Sequence, residues 1–307
     1  FEYQVTGYDA TRGELENFPV LVRIPAGRVA DNSQLAFFDE NGTFLPYEID
    51  TWNANGESLV WVLVPSFYQN VKITLASGNE GWTAPNLAHT LWRMAGYVAV
   101  LHLGEDGPEF AGSTVQNIDG LGQLANGTDA GVANKVAGAV GPARLISDTA
   151  GWDKARIKVD NFEGYLDNLA NMTVSLWTKH SAELQVGDSE RIFGNRSNLE
   201  DQASGFNVST YTGVTDKIPV LQARGNPTLN SSAGLDKFIV VKPSTGTNVS
   251  WSDTWTHLSF SFNYTPNPTI FHIGGERAAI SPNGSGNAIQ TTAFASILAN
   301  DTPISFG

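Results

Sequence analysis

No cysteine occurs among the 307 residues, which removes a disulfide framework, thiolate zinc sites and a cysteine nucleophile together. Charge is sparse as well. Charged residues make up 16% of the chain, under the usual quarter, so the surface is expected to be built largely from Ser, Thr, Asn and Gly. Bases are the scarcer sign, 18 against 31 acids for a net charge of -13. Such a chain repels polyanions, and no Arg/Lys cluster offsets this, so nucleic acid is not expected as a partner. No apolar run approaches the roughly 18 residues needed to span a bilayer, and no transmembrane segment is expected. The histidines 89, 102, 180, 257 and 272 show no metalloprotease spacing and stand near no Gly-x-Ser-x-Gly elbow, and Gly138-Ala139-Val140-Gly141 lacks the lysine and helix of a phosphate loop.

What the chain does have is strand pattern. Leu258, Phe260, Phe262 and Tyr264 alternate with His257, Ser259, Ser261 and Asn263, the period of two expected of a half-buried strand. Thr173 to Lys179 alternates less cleanly and predicts an inner sandwich strand with little solvent on either face, Trp177 included. Ser58 to Val64 is apolar on both parities and predicts a central strand. Asn41-Gly42 and Asn55-Gly56 mark tight turns, because both residue types tolerate positive φ. From Pro85 to Ala95, Leu87, Leu91 and Met94 fall at spacings of four and three behind Thr83 as a cap, which predicts a short helix. Length and aromatic content are enough for two cores. The division expected is 1–80 as a small β domain, 81–96 as a linker carrying the helix, and 97–307 as a larger β domain opened by the strand Tyr97 to Leu103.

Four segments of the first part carry a resemblance: Phe18-Pro19-Val20-Leu21-Val22-Arg23-Ile24, Leu35-Ala36-Phe37-Phe38-Asp39-Glu40-Asn41-Gly42, Leu45-Pro46-Tyr47-Glu48-Ile49-Asp50 and Ser58-Leu59-Val60-Trp61-Val62-Leu63-Val64-Pro65. In this order they resemble the bacterial family known as domain of unknown function 2341. The remainder is similar to laminin-G-like, concanavalin A-type jelly rolls, through Gly104-Glu105-Asp106, Val136 to Gly141 leading to Ala143-Arg144, Met172 to Trp177, Arg191 to Gly194, Thr254 to Leu258 and Thr269 to Gly275. The two resemblances imply an all-β protein, a small β-sandwich-like domain followed by a jelly-roll sandwich. The jelly-roll family usually continues beyond the element matched by Ile304-Ser305-Phe306-Gly307 into a closing strand, so either that strand lies on a part of the protein beyond this sequence, or a partner strand near the C-terminus, or self-association there, is expected to supply it.

Glu48 and Asp50 are two apart on a strand and invite comparison with the paired carboxylates of glycoside hydrolase family 16. Retaining chemistry requires carboxyl groups about 5–5.5 Å apart on one face. The third acid of that motif is replaced by Asn53, and a structural or surface role is expected for the pair. No residue is assigned to catalysis, and a polysaccharide-active enzyme is kept as the enzymatic alternative. No cofactor is required, though calcium is the cation best suited to a chain rich in oxygen ligands. The jelly-roll resemblance implies a calcium site at a sheet rim, in the loop after the strand matching Ile192-Phe193-Gly194, which points to Glu200, Asp201 and Gln202. Sugar binding requires exposed aromatic platforms beside polar groups, and Trp52, Trp152 and Asp153, all flanking turns, are the candidates. Trp61, Trp177 and Trp255 sit in strand patterns and are expected in cores.

The functional expectation is a non-enzymatic binding or adhesion module that recognises a glycan or another surface protein. It is expected outside the cytoplasm, at the cell surface, secreted or periplasmic, with any signal sequence removed or never present, since Phe1-Glu2-Tyr3-Gln4-Val5 already reads as a strand. A structural subunit of a filament or envelope assembly is the other alternative. Ten Asn-x-Ser/Thr sites occur, several in predicted strands, and a turn-rich β surface favours the same residues.

Overall fold

The structure, a computed structural model, describes residues 1–78, 81, 83, 85, 87–104, 127–130, 132–147, 156–159, 171–179, 191–194, 206–212, 217–223, 253–263, 270–277 and 304–306. Two compact units emerge, the first taking in Phe1–Glu105 together with Val140–Pro142 and the second most of the chain from Ala143 onward. The described residues form antiparallel sheets with one α-helix, an all-β protein.

Among the described residues the first unit has six strands up to residue 105: β1 (Glu2–Gln4), β2 (Leu15–Ile24), β3 (Ala36–Phe38), β4 (Tyr47–Thr51), β5 (Ser58–Phe67) and β6 (Lys72–Ala76). They make two three-stranded sheets of order β1-β6-β3 and β2-β5-β4. Val22, Ile24, Phe37, Tyr47, Val60, Val62, Val64, Ile73 and Leu75 pack into one buried core drawn from both sheets, and each fully buried aliphatic or aromatic side chain there stabilises by roughly 1.5–3 kcal/mol. Pro19 lies in β2, an edge strand, where the missing N–H removes no ladder bond from the sheet interior. The Asn41-Gly42 turn is held by Asp39, whose carboxylate accepts the backbone N–H groups of Asn41 at 2.9 Å and Thr43 at 2.7 Å.

β5 is apolar on both parities because it has two apolar neighbours. Val60, Val62 and Val64 face the sandwich core, whereas Trp61 and Leu63 join a second cluster with Leu91, Trp92, Ala95 and Val100. That second cluster is supplied by α1 (Ala88–Met94) and the segment following it. The helix lies inside the stretch expected to be helical but starts later. Leu87 occupies its N-cap position without a side-chain cap bond, so Thr83 is not the cap. Its C-terminus is a Schellman motif: Gly96 N–H bonds Arg93 C=O at 3.1 Å and Tyr97 N–H bonds Trp92 C=O at 2.9 Å, with Gly96 at φ +80°. That turn folds the Tyr97 ring back onto Trp92, centroids 5.1 Å apart. Tyr97–Leu103, expected as the opening strand of the larger domain, forms no strand. It runs as a strap, and it belongs to the first unit.

The second unit contains a six-stranded antiparallel sheet formed by β7 (Gly127–Ala130), β10 (Arg156–Val159), β12 (Arg191–Gly194), β13 (Phe206–Thr212), β14 (Lys217–Ala223) and β18 (Ile304–Phe306), in the order β14-β13-β12-β18-β10-β7. A four-stranded sheet, β11 (Asn171–Thr178), β15 (Thr256–Asn263), β16 (Ile270–Ile273) and β17 (Glu276–Arg277), has the order β11-β15-β16-β17. The remaining pair is β8 (Val132–Ala137) with β9 (Pro142–Ser147). Leu258, Phe260, Ile273, Phe193 and Val208 are buried. β18 pairs with β10 along Ile304–Phe306 and with β12 through Ser305 and Phe306.

Candidate functional site

Among the described residues two places combine chemistry-bearing side chains, one in each unit. In the first unit the site begins with the alternation of β4. Tyr47 points into the sandwich core, where its hydroxyl donates to the Leu35 carbonyl at 2.7 Å, and Ile49 packs beside it. Glu48 and Asp50 therefore project from the opposite face, the one that α1 and the strap cover.

There the two carboxylates meet one imidazole. His102 Nε2 lies 3.0 Å from Glu48 Oε2 and its Nδ1 lies 2.9 Å from Asp50 Oδ2. The indole N–H of Trp61 donates to Asp50 Oδ2 at 3.1 Å, and Thr51 Oγ donates to Asp50 Oδ1 at 3.0 Å. The indole N–H of Trp92 donates to Glu48 Oε2. The side chains of His102, Glu48 and Asp50 are only 11%, 10% and 5% exposed. Burial alone would lower the His102 pKa, but the hydrogen bonds and charges of Asp50 and Glu48 prevail and raise it to about 10. Burial likewise raises Asp50, yet the His102 bond and charge, aided by the Trp61 and Thr51 donors, bring it below its ordinary value.

Gly141, in the Val140–Pro142 segment of the first unit, also lies close to Asp50. A Cβ at that position would stand 3.0 Å from Asp50 Oδ1 and 3.2 Å from Thr51 Oγ, and its φ is +64°. A glycine backbone fits both the space and the angle.

This centre is a satisfied ion cluster. Both imidazole nitrogens face carboxylate oxygens, and the remaining carboxylate capacity is met by two indoles and a hydroxyl, as buried charges require. Neither nitrogen is left to ligate a metal, and among the described residues no group of three His, Asp or Glu side chains is arranged to hold one.

The second place is one face of the four-stranded sheet. β11 and β15 pair in register, Ser175 with Ser259 and Trp177 with His257. Leu258 and Phe260 are buried on one side of the sheet. The other carries Thr173, Ser175, Trp177, His257, Ser259, Ser261 and, through the pairing of β15 with β16, His272. Trp177 is 48% exposed. Its ring lies 5.2 Å from the His257 ring, and Ser175 Oγ is 2.8 Å from His257 Nε2. Thr173 and Ser261 hydroxyls are 3.0 Å apart. Burial and then the nearby His272 lower the His257 pKa, which favours the uncharged ring at neutral pH. The face is thus aromatic and hydroxyl-rich. This corrects the expectation for Trp177: β11 has one wet face, and the bulk of Trp177 disguised an ordinary alternation.

Of the residues selected from sequence, Trp52 is half-buried and packs against the first core, so it is not a free platform. Trp152, Asp153, Glu200, Asp201 and Gln202 lie outside the described residues. Glu48 and Asp50 do come together, around a third residue that was placed in a strand of the other domain. The available signal for His102 was a lone histidine inside the apolar run Val98-Ala99-Val100-Leu101-His102-Leu103, where a buried imidazole needs a polar partner.

Residues 31–94 match the family described as Domain of unknown function (DUF2341), which is what the segments from Leu35 to Pro65 led us to expect of the N-terminal part. No curated protein and no solved structure matches the chain. Among the described residues no helix is long and apolar enough to cross a membrane.

Proposed function

We propose that this protein is a non-enzymatic recognition module of the cell exterior, and that it binds a neutral glycan on the β11-β15-β16 face of its second unit. The observation that carries the reading is the half-exposed Trp177 flanked by His257 and a hydroxyl row. A sugar presents a C–H face that stacks on an indole and hydroxyls that exchange hydrogen bonds with Ser, Thr and imidazole groups. The net charge of -13 disfavours an anionic polymer. We read the second unit as a laminin-G-like jelly roll, for which its antiparallel six- and four-stranded sheets provide support. The burial of Glu48 and Asp50 against His102 supports a structural role for that pair over glycoside hydrolysis.

The test is a glycan array probed with the full chain and with Trp177→Ala, each with calcium and again with chelator. Binding by the wild type that Trp177→Ala abolishes would support the reading. Loss with chelator would add the calcium site expected at Glu200, Asp201 and Gln202. No binding in either condition, or a Trp177→Ala variant that binds like wild type, would overturn it.

A further inference from the structure

We infer that Glu48, His102 and Asp50 form a charge latch, in which the imidazolium of His102 holds the strap Tyr97–Gly104 against the outer face of the β2-β5-β4 sheet and its discharge releases that strap. The first argument is proton geometry. Each imidazole nitrogen faces a carboxylate oxygen, at 3.0 and 2.9 Å. Only the doubly protonated ring donates along both lines, whereas a neutral ring must set a lone pair against one carboxylate.

A second argument is that no strand ladder fastens the strap. It contributes no strand to either sheet, and Tyr97 and Val98 are exposed at 41% and 42%. Its apolar contributions are the Tyr97 ring on Trp92 and the partly buried Ala99, Val100, Leu101 and Leu103. The third is strain: Leu103, next to the histidine, has φ +58°, a left-handed conformation that a branched residue holds only when its surroundings impose it.

The groups facing His102 define when the latch is closed. β4 supplies Glu48 and Asp50, β5 and α1 supply the non-titrating indoles of Trp61 and Trp92, and the strap supplies Tyr97, whose phenol burial holds above its ordinary pKa. Val140–Pro142 brings no titratable side chain. With His102 raised to about 10, the latch stays shut through the neutral range and opens in alkali. Opening uncovers the edge of Trp92 on which the Tyr97 and His102 rings pack and frees the Asp50 carboxylate that Trp61 shares with His102.

The experiment has two arms on the full chain. In the first, His102→Gln and wild type are digested with chymotrypsin at pH 8 and cleavage after Tyr97 is followed by mass spectrometry. We expect cleavage there to rise by about tenfold or more in the variant while Phe37 and Tyr47 stay uncut, the mark of local opening rather than global unfolding. In the second, wild type labelled with 5-fluorotryptophan is titrated by 19F NMR, with Trp61 and Trp92 signals assigned from Trp→Phe variants. Those two signals should move together with an alkaline midpoint near 10 while Trp177 does not follow. Equal cleavage after Tyr97 in both proteins, cleavage that rises equally at Tyr47, or indole signals flat to pH 10.5 would each overturn the latch. If His102→Gln fails to fold, the wild-type titration decides alone.

Discussion

Trp92 on α1 donates its indole N–H to the carboxylate of Glu48 on β4, 44 residues earlier in the chain. The bond fixes the helix over the sheet through a charged acceptor, and charge-assisted bonds of this kind are about twice as strong as neutral ones. It also shows why the helix cannot be treated as a simple connector. Trp92 is buried against Leu63 and Leu91, and its polar edge completes the ion cluster.

Removing the histidine should be severe. His102→Ala leaves two carboxylates buried without a counter-charge, and breaking such a pair from one side costs about 3–5 kcal/mol. Urea denaturation of the first unit, followed by tryptophan fluorescence, measures it. The same substitution made on top of Glu48→Gln and Asp50→Asn should cost clearly less, because no uncompensated charge remains. Additive losses would show that the three residues do not act together.

Stability should fall on the alkaline side earlier than tyrosine ionisation explains. His102 has its folded pKa raised from 6.5 to about 10, so its contribution is complete below 6.5 and disappears as pH climbs through 10. Burial of Tyr47 raises its phenol from 10.0 to about 12, and that residue begins to act only above pH 10. A melting-temperature profile of the wild type should therefore decline between pH 6.5 and 10, and His102→Gln should be flat over that interval. In acid the sign reverses: Asp50, lowered from 3.8, contributes above pH 3.8 and ceases to do so as pH drops through its folded value.

Tyr47→Phe should destabilise by about 0.5–1.5 kcal/mol, the net contribution of one buried hydrogen bond. The Tyr47 hydroxyl donates to the Leu35 carbonyl at 2.7 Å within the core, and chemical denaturation reads the loss. An unchanged midpoint would mean that this bond adds nothing to the stability of the first core.

Gly141→Ala should perturb the ion cluster from outside. The added methyl would approach Asp50 Oδ1 at 3.0 Å in a left-handed backbone, costing about 1–2 kcal/mol for the angle alone. The 19F signal of Trp61, which shares Asp50, should shift in this variant, and a spectrum identical to wild type would count against the close approach.

The strands of the first unit were legible because their signals are local. Alternation in β4, two apolar parities in β5 and Asn-Gly at the Asp39 turn each depend on a few neighbouring residues, and β15 showed its period of two as plainly. The latch was not legible for the opposite reason. Glu48 and His102 are 54 positions apart, and the run around His102 has the composition of a strand, so periodicity assigned it to a sheet it does not join. Trp177 failed differently: residue size was taken for burial, although a tryptophan standing across from a histidine on an edge strand can keep half its surface wet.

The two-sided packing of β5 sets a practical limit on how the first unit can be cut out for study. A fragment ending at residue 80, or at the end of the matched segment at residue 94, retains Glu48 and Asp50 but loses their counter-ion. Ending at residue 80 also strips the cover from Trp61 and Leu63, an exposed apolar patch of the kind that drives association. Such a fragment should express as aggregate, whereas one carried through Gly104 keeps the helix, the strap and the histidine over that patch and gives up the Val140–Pro142 segment beside Asp50.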